Sequence, residues 1–224
     1  MKVELFFIMG YASTGLALLI FLMAFVPYQR RKAESRLIGG ASLISVVTHL
    51  ILLFGSFRGK DVNLPQNLAM LLIFLLSAAA YYHVLNRRYQ RFFLISTVGV
   101  ICFGVCNLLF LQKDDYNTYT VVLSSFILII YCIVYLYRLL VDLPEQQLHL
   151  VPMFWFNAAI LIYRAGTLFL FLLTPYLVKV LNNDLLIYWS FHNILNVVQQ
   201  IVIIIGLWQD LRNIKSRSLS PSVR

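Results

Sequence analysis

Seven apolar stretches, each about as long as a membrane-spanning helix, constrain this chain more than any other feature. Uncharged runs cover 5–27, 37–57, 67–85, 92–111, 119–137 and 185–208, and 150–174 is broken only by Arg164. Each is about 19–25 residues long, and a helix needs about 20 to cross the hydrocarbon core. Inside hydrocarbon every backbone N–H and C=O must be paired within the segment or within a closed barrel. Runs of this length favour the helix. They occupy about two-thirds of the 224 residues, so the loops are short and no soluble domain fits between them.

The expected fold is therefore an all-α membrane protein, a seven-transmembrane-helix bundle over 1–209 followed by a basic tail at 210–224. Composition agrees: 61% of residues are apolar and 12% charged, against about 45–50% and about 25% in soluble domains. Neither an ordinary globular protein nor a disordered chain has this balance. The first run is about twice the length of a signal-peptide apolar region and ends in Arg30-Arg31-Lys32, so it is read as a retained span.

A net charge of +9 invites a nucleic-acid reading, but the distribution argues against it. Loops assigned alternately to two sides place twelve Lys and Arg on one side, from Arg30 to Arg224, and five on the other: Lys2, Arg58, Lys60, Lys113 and Lys179. The positive-inside rule then sets the N-terminus outside and the C-terminus in the cytoplasm. The basic excess orients the chain and meets anionic lipid. No nucleic acid is needed. For a bacterial protein this means the inner (plasma) membrane, crossed several times.

Cys102, Cys106 and Cys132 all lie within spans, and without a CxxC pair they read as small packing residues. The glycines from Gly10 to Gly15 and at Gly39-Gly40, with the small residues from Ser77 to Ala80, suggest close helix contacts. All six prolines fall in loops or at predicted helix ends, and no internal repeat is visible. A transporter built from paired repeats with broken helices is thus disfavoured as an alternative.

Polar side chains inside the spans carry the functional argument, because each is costly in hydrocarbon. The sixth span holds Asn157 and Arg164, nearly two turns apart and so on one face. The seventh holds His192, Asn196 and Gln199, a stripe at i, i+4, i+7 with Gln200 beside it. His49 lies within the second. Depth counted along the spans puts Arg164, His49 and the stripe in the outer half, so one polar pocket can be shared by helices two, six and seven. Arg164 costs about 2.5–3.5 kcal/mol at a helix centre on insertion scales. The acids Glu4, Asp142 and Asp184 all sit at span ends. Its partner is then the amide stripe, acting as a helix clamp, or a ligand, a lipid or another chain. The ligand-binding set is Arg164, Asn157, His192, Asn196, Gln199 and His49; no metal and no cofactor is expected.

Ser45 and His49, with a histidine on helix seven, also resemble the seven-span zinc hydrolases of the alkaline ceramidase and progestin-receptor type. That resemblance would make His49 and His192 a base or metal ligands. The expected second histidine of helix seven is Asn196 here, and catalytic zinc needs three protein ligands. Every lysine lies outside the spans, which excludes a retinal Schiff base.

Phe154-Trp155-Phe156-Asn157, Leu161-Ile162-Tyr163 and Gly166-Thr167-Leu168-Phe169-Leu170-Phe171, then Trp189-x-x-His192-Asn193-Ile194-Leu195-Asn196 and Gly206-Leu207-Trp208, resemble an uncharacterised family of small seven-span membrane proteins common in Bacteroidetes. The resemblance is distinctive over about 150–208. It implies a sensory or accessory signalling module working with a cytoplasmic-side partner such as a sensor kinase. Family members often carry serine where this chain has Arg164, which makes the arginine a local specialisation.

The orientation has a direct check. A cysteine introduced by Lys60→Cys should react in intact cells with a membrane-impermeant thiol reagent, and one introduced by Arg88→Cys should react only after lysis. The reverse pattern would invert the topology.

Overall fold

The computed structural model describes residues 2–26, 31–57, 62–85, 87–112, 117–142, 148–180 and 185–219. Among them the chain is all-helical, and seven helices are long and apolar enough to cross a membrane. They are α1 (Lys2–Phe25), α2 (Ala33–Phe57), α3 (Asn63–Val84), α4 (Arg87–Cys106), α5 (Thr118–Asp142), α6 (Pro152–Val180) and α7 (Leu185–Leu219). α4 continues into a π-helical turn, Asn107–Leu111.

Five helix pairs pack along much of their length: α1 with α2, α2 with α3, α5 with α6, α6 with α7, and α7 with α1. α3 and α5 also pack against each other, and α4 packs against both. The outer surface carries Leu18, Leu22, Phe54, Leu68, Phe92, Ile95, Phe126 and Phe169, all exposed, as a bundle solvated by lipid tails requires.

Several sequence expectations need correction. α7 runs on past Asp210 as one helix to Leu219, and Asp210 is bonded into the bundle. Pro175 lies inside α6 rather than after it. Gly10 and Gly15 make no close helix contact, since a Cβ at either would meet nothing within 4 Å. Gly39 does meet a neighbour closely, since an added Cβ would collide with Ala24 of α1, and Gly206 is a further close approach, where an added Cβ would lie 2.7 Å from the Phe156 ring and 3.0 Å from Trp155 Cβ. Cys102 and Cys106 are exposed on α4, and only Cys132 is buried.

The two halves of the bundle are filled differently. At the end where α1, α3, α5 and α7 finish, the basic end, Phe74, Tyr81, Phe93, Leu128, Tyr131, Met153, Phe156 and Leu207 form a solid core. Tyr81 joins three helices there, donating 2.8 Å to Asn157 Oδ1 of α6 and lying 3.0 Å from Cys132 Sγ of α5. α4 is tied to α5 through the Tyr131 hydroxyl, which bonds Phe93 O and Ser96 Oγ.

Arg31, just before α2, closes this end. Its guanidinium donates to Asp210 Oδ2 at 3.0 Å and to Leu207 O at 2.9 Å on α7. It also donates to Met23 O in the last turn of α1 and to Val26 O at 3.3 Å. Carbonyls of a final turn have no partner within their own helix, so Arg31 supplies one. Ser35 Oγ of α2 donates to the same Asp210 oxygen at 2.8 Å. Both charged side chains are buried, at 0% and 1% exposure.

A buried pair leaves a costly lone charge when either partner is removed, whereas apolar replacement of both is often neutral or better. Arg31→Met or Asp210→Ala alone should lower stability by about 3–5 kcal/mol in a denaturant titration of the purified protein. The double variant Arg31→Met with Asp210→Leu should recover most of that loss.

Candidate functional site

Above the core, in the other half of the ring, the helices diverge around a cavity of about 220 Å³. That is more than tenfold the ~10–15 Å³ that one water needs. Ile38, Ile160 and Ile203 belong both to its wall and to the apolar core, and so form its floor. α2 contributes Ser42, Ser45, Thr48 and His49; α3 contributes Gln66 and Ser77. α6 contributes Tyr163 and Arg164, and α7 contributes His192, Asn196, Gln199 and Gln200.

Five of the six residues singled out in the sequence thus line one cavity: Arg164, His192, Asn196, Gln199 and His49. Asn157 does not. It shares a face with Arg164, but seven residues along a helix is about 10 Å of axis, which drops it below the Ile160 floor. There its Oδ1 accepts from Tyr81, and its Nδ2 has no partner.

Arg164 is not a clamp to α7. Its guanidinium makes one hydrogen bond, 3.3 Å to Ser125 Oγ of α5, and its charge lies 5.5 Å from the Tyr163 ring centroid. Among the described residues no carboxylate lines the cavity. The side chain is 9% exposed, so a buried cation stands among the described residues without a counter-ion.

The α6–α7 link is made instead by Tyr163 Oη and His192 Nε2 at 2.9 Å. His192 is held between rings, 5.7 Å from the Tyr163 centroid and 5.6 Å from that of Trp189. The amide stripe turns toward α1: Asn196 Nδ2 and Gln200 Nε2 each donate 3.1 Å to Ser13 Oγ. Gln200 Oε1 is buried without a partner. The side chains of Gln66 and Gln199 make no hydrogen bond to the described residues.

Ser13 and Thr14 are not among the residues that the sequence points to. Their only signal was a pair of adjacent hydroxyls in the middle of an apolar span. Thr14 Oγ1 donates to Gly10 O at 3.0 Å and lies 3.1 Å from His49 Nδ1. With the hydroxyl hydrogen on Gly10, His49 Nδ1 must carry the proton, leaving Nε2 as an acceptor.

Hydrolytic chemistry finds little support in this arrangement. Ser45 Oγ donates to Ala41 O at 3.2 Å rather than to His49, so no base–nucleophile pair is assembled. Among the described residues no three His, Cys, Asp or Glu side chains gather as a metal site would require.

A second polar cluster, missed in the sequence, lies beside the π-helical turn. Asn107 Nδ2 donates to Thr120 Oγ1 at 3.2 Å, to Gln112 Oε1 at 3.0 Å and to Asn117 Oδ1. Asn117 N donates 3.0 Å to Asn67 Oδ1 of α3. This network fastens the α4–α5 connection to the ring and does not reach the cavity wall.

Comparison with models of protein families, with curated proteins and with solved structures gave no match for the chain.

Ser13→Ala removes the acceptor shared by Asn196 and Gln200 and leaves two amide donors unmet. An unsatisfied buried group costs about 1–3 kcal/mol; Gln200 is buried and Asn196 half-buried, so the variant should lose about 1–3 kcal/mol of stability in a denaturant titration in mixed micelles. Unchanged stability would mean that the α1–α7 bonds add nothing to the fold.

Proposed function

We propose that this protein is a membrane-embedded sensory or accessory signalling module that binds a small ligand in the cavity bounded by α1, α2, α3, α6 and α7. The observation that carries this reading is Arg164: a buried guanidinium beside a polar cavity with, among the described residues, one hydrogen bond and no counter-ion. An uncompensated charge in a low-dielectric interior is strongly destabilising, and polar groups in such surroundings mark binding pathways more often than packing. A bound ligand would satisfy Arg164, Gln66, Gln199 and Gln200 together.

α7 supplies the output. It lines the cavity with His192, Asn196 and Gln199 and continues, unbroken, past the Arg31–Asp210 pair to Arg212 and Lys215. In the orientation expected from loop charge, the cavity opens in the outer half and that extension enters the cytoplasm. A partner there, such as a sensor kinase, would read a shift of α7, as the resemblance to the Bacteroidetes family implies. The bacterial inner membrane is the setting that fits. No enzymatic step and no cofactor is required.

Native mass spectrometry of protein extracted gently from its own membrane tests the reading. The wild type should retain a small-molecule mass that Arg164→Leu has lost. An empty species in both would remove the basis for a ligand site.

A further inference from the structure

The cavity is chemically asymmetric across the ring. On one side Arg164 carries the only charge on the wall among the described residues. A guanidinium has five N–H donors in a fixed fork, and here only Ser125 takes one. On the other side the hydroxyls of α2 and α3 have their hydrogens engaged with carbonyls one turn back. Ser42 donates to Ile38 O at 3.1 Å, Ser45 to Ala41 O at 3.2 Å, Thr48 to Ile44 O at 2.7 Å and Ser77 to Ile73 O at 2.8 Å. What these side chains still offer a ligand is oxygen lone pairs. The charge and its free N–H donors lie on the α6 wall, and the α2 and α3 hydroxyls opposite offer acceptors.

From this we infer that the ligand is a small organic anion. Its carboxylate or phosphate group pairs with Arg164, and its hydroxyl or amine hydrogens face Ser42, Ser45 and Thr48. The inference rests on the cavity being a ligand site and names the chemical class that site takes. Arg is matched geometrically to planar, two-oxygen partners. A neutral polyol would satisfy the acceptor wall but leave the guanidinium unpaired. A cation would meet an uncompensated positive charge. Gln66 and Gln199, which can both donate and accept, suit the middle of a molecule carrying polar groups at each end. Some 220 Å³ lies below the usual ~300–1,000 Å³ of drug-sized pockets, so the anion is small, or is the headgroup of a lipid whose tails stay outside.

The test uses purified full-length protein in nanodiscs of phosphatidylcholine, titrated calorimetrically with glycerate, inorganic phosphate, glycerol and ethanolamine. Glycerate, phosphate or both should bind, and glycerol and ethanolamine should not. Arg164→Gln should weaken the anion about thirtyfold or more, the range for losing one partner of a buried charged pair, and Arg164→Lys should weaken it less. The Gln variant should unfold no earlier than wild type, since it removes a charge that lacks a protein counter-ion; a marked loss of stability would show Arg164 to be structural and overturn the assignment.

Nanodiscs containing phosphatidylglycerol separate the two sources of anion. If a lipid headgroup is the ligand, this lipid should compete with glycerate and be retained in the mass spectrum, and Arg164→Gln should release it. Glycerol binding as well as glycerate, or binding unaffected by Arg164→Gln, would overturn the anion while leaving a ligand cavity in place. Silence from every probe and from the lipid would overturn both.

Discussion

The ion pair between Arg31 and Asp210 joins parts of the chain that are 179 residues apart, and the rest of the bundle is arranged above it. One guanidinium takes the carbonyl of Met23 at the end of α1, the carbonyl of Leu207 on α7 and the Asp210 carboxylate, while Ser35 brings in the start of α2. Among lipid tails, helices gain little from apolar association with one another, and packing and polar bonds decide which faces meet. A shared, fully buried charge pair is the most demanding of these bonds, because separating it strands a charge on each side. It sets the register of α1, α2 and α7 at one end.

Between that end and the cavity lies a solid layer. Tyr81, Tyr131, Met153, Phe156 and Leu207 are buried there, and Gly206 lets α7 press against Phe156 and Trp155. Ile203, which floors the cavity, is seven residues from Asp210 on the same helix, about 10 Å of axis. The opposite half lacks such filling: Ser13, His49, Gln200 and their partners bond around the edge of a void rather than across it. α7 runs from the cavity wall through this layer to the Arg31–Asp210 pair.

The two buried arginines differ in partner, not in depth of burial. Arg31 has its acid and the free carbonyls of a helix end; Arg164 has one serine. Both look alike in a hydropathy profile, where Arg31 reads as one of a cluster of loop charges and Arg164 as an interruption of a span. In the sequence Arg31 therefore reads as a topology signal and Asp210 as the first residue of a tail. Arg164 stands out because a charge at the middle of an apolar run has no interfacial explanation. The clustering of His49, His192, Asn196 and Gln199 with Arg164 was also legible, since helical spacing and depth along alternating spans are both countable. Asn157 shows the limit of that counting: the same face is not the same depth.

What the sequence alone determined is the number of helices, their approximate ends, and the short list of polar groups that hydrocarbon would not tolerate without a reason. Those follow from length, periodicity and solvation cost, which are local properties of the chain. Which groups meet is a different matter. That Ser13 takes both amides of α7, that Tyr163 rather than Arg164 links α6 to α7, and that Arg31 finds Asp210 all depend on the order of helices around the ring. That order is set by residues such as Gly206 and Phe156, whose shapes matter only once two helices lie side by side. Only the tertiary structure decided that Arg164 is left facing a cavity, because a missing partner is a property of everything around it.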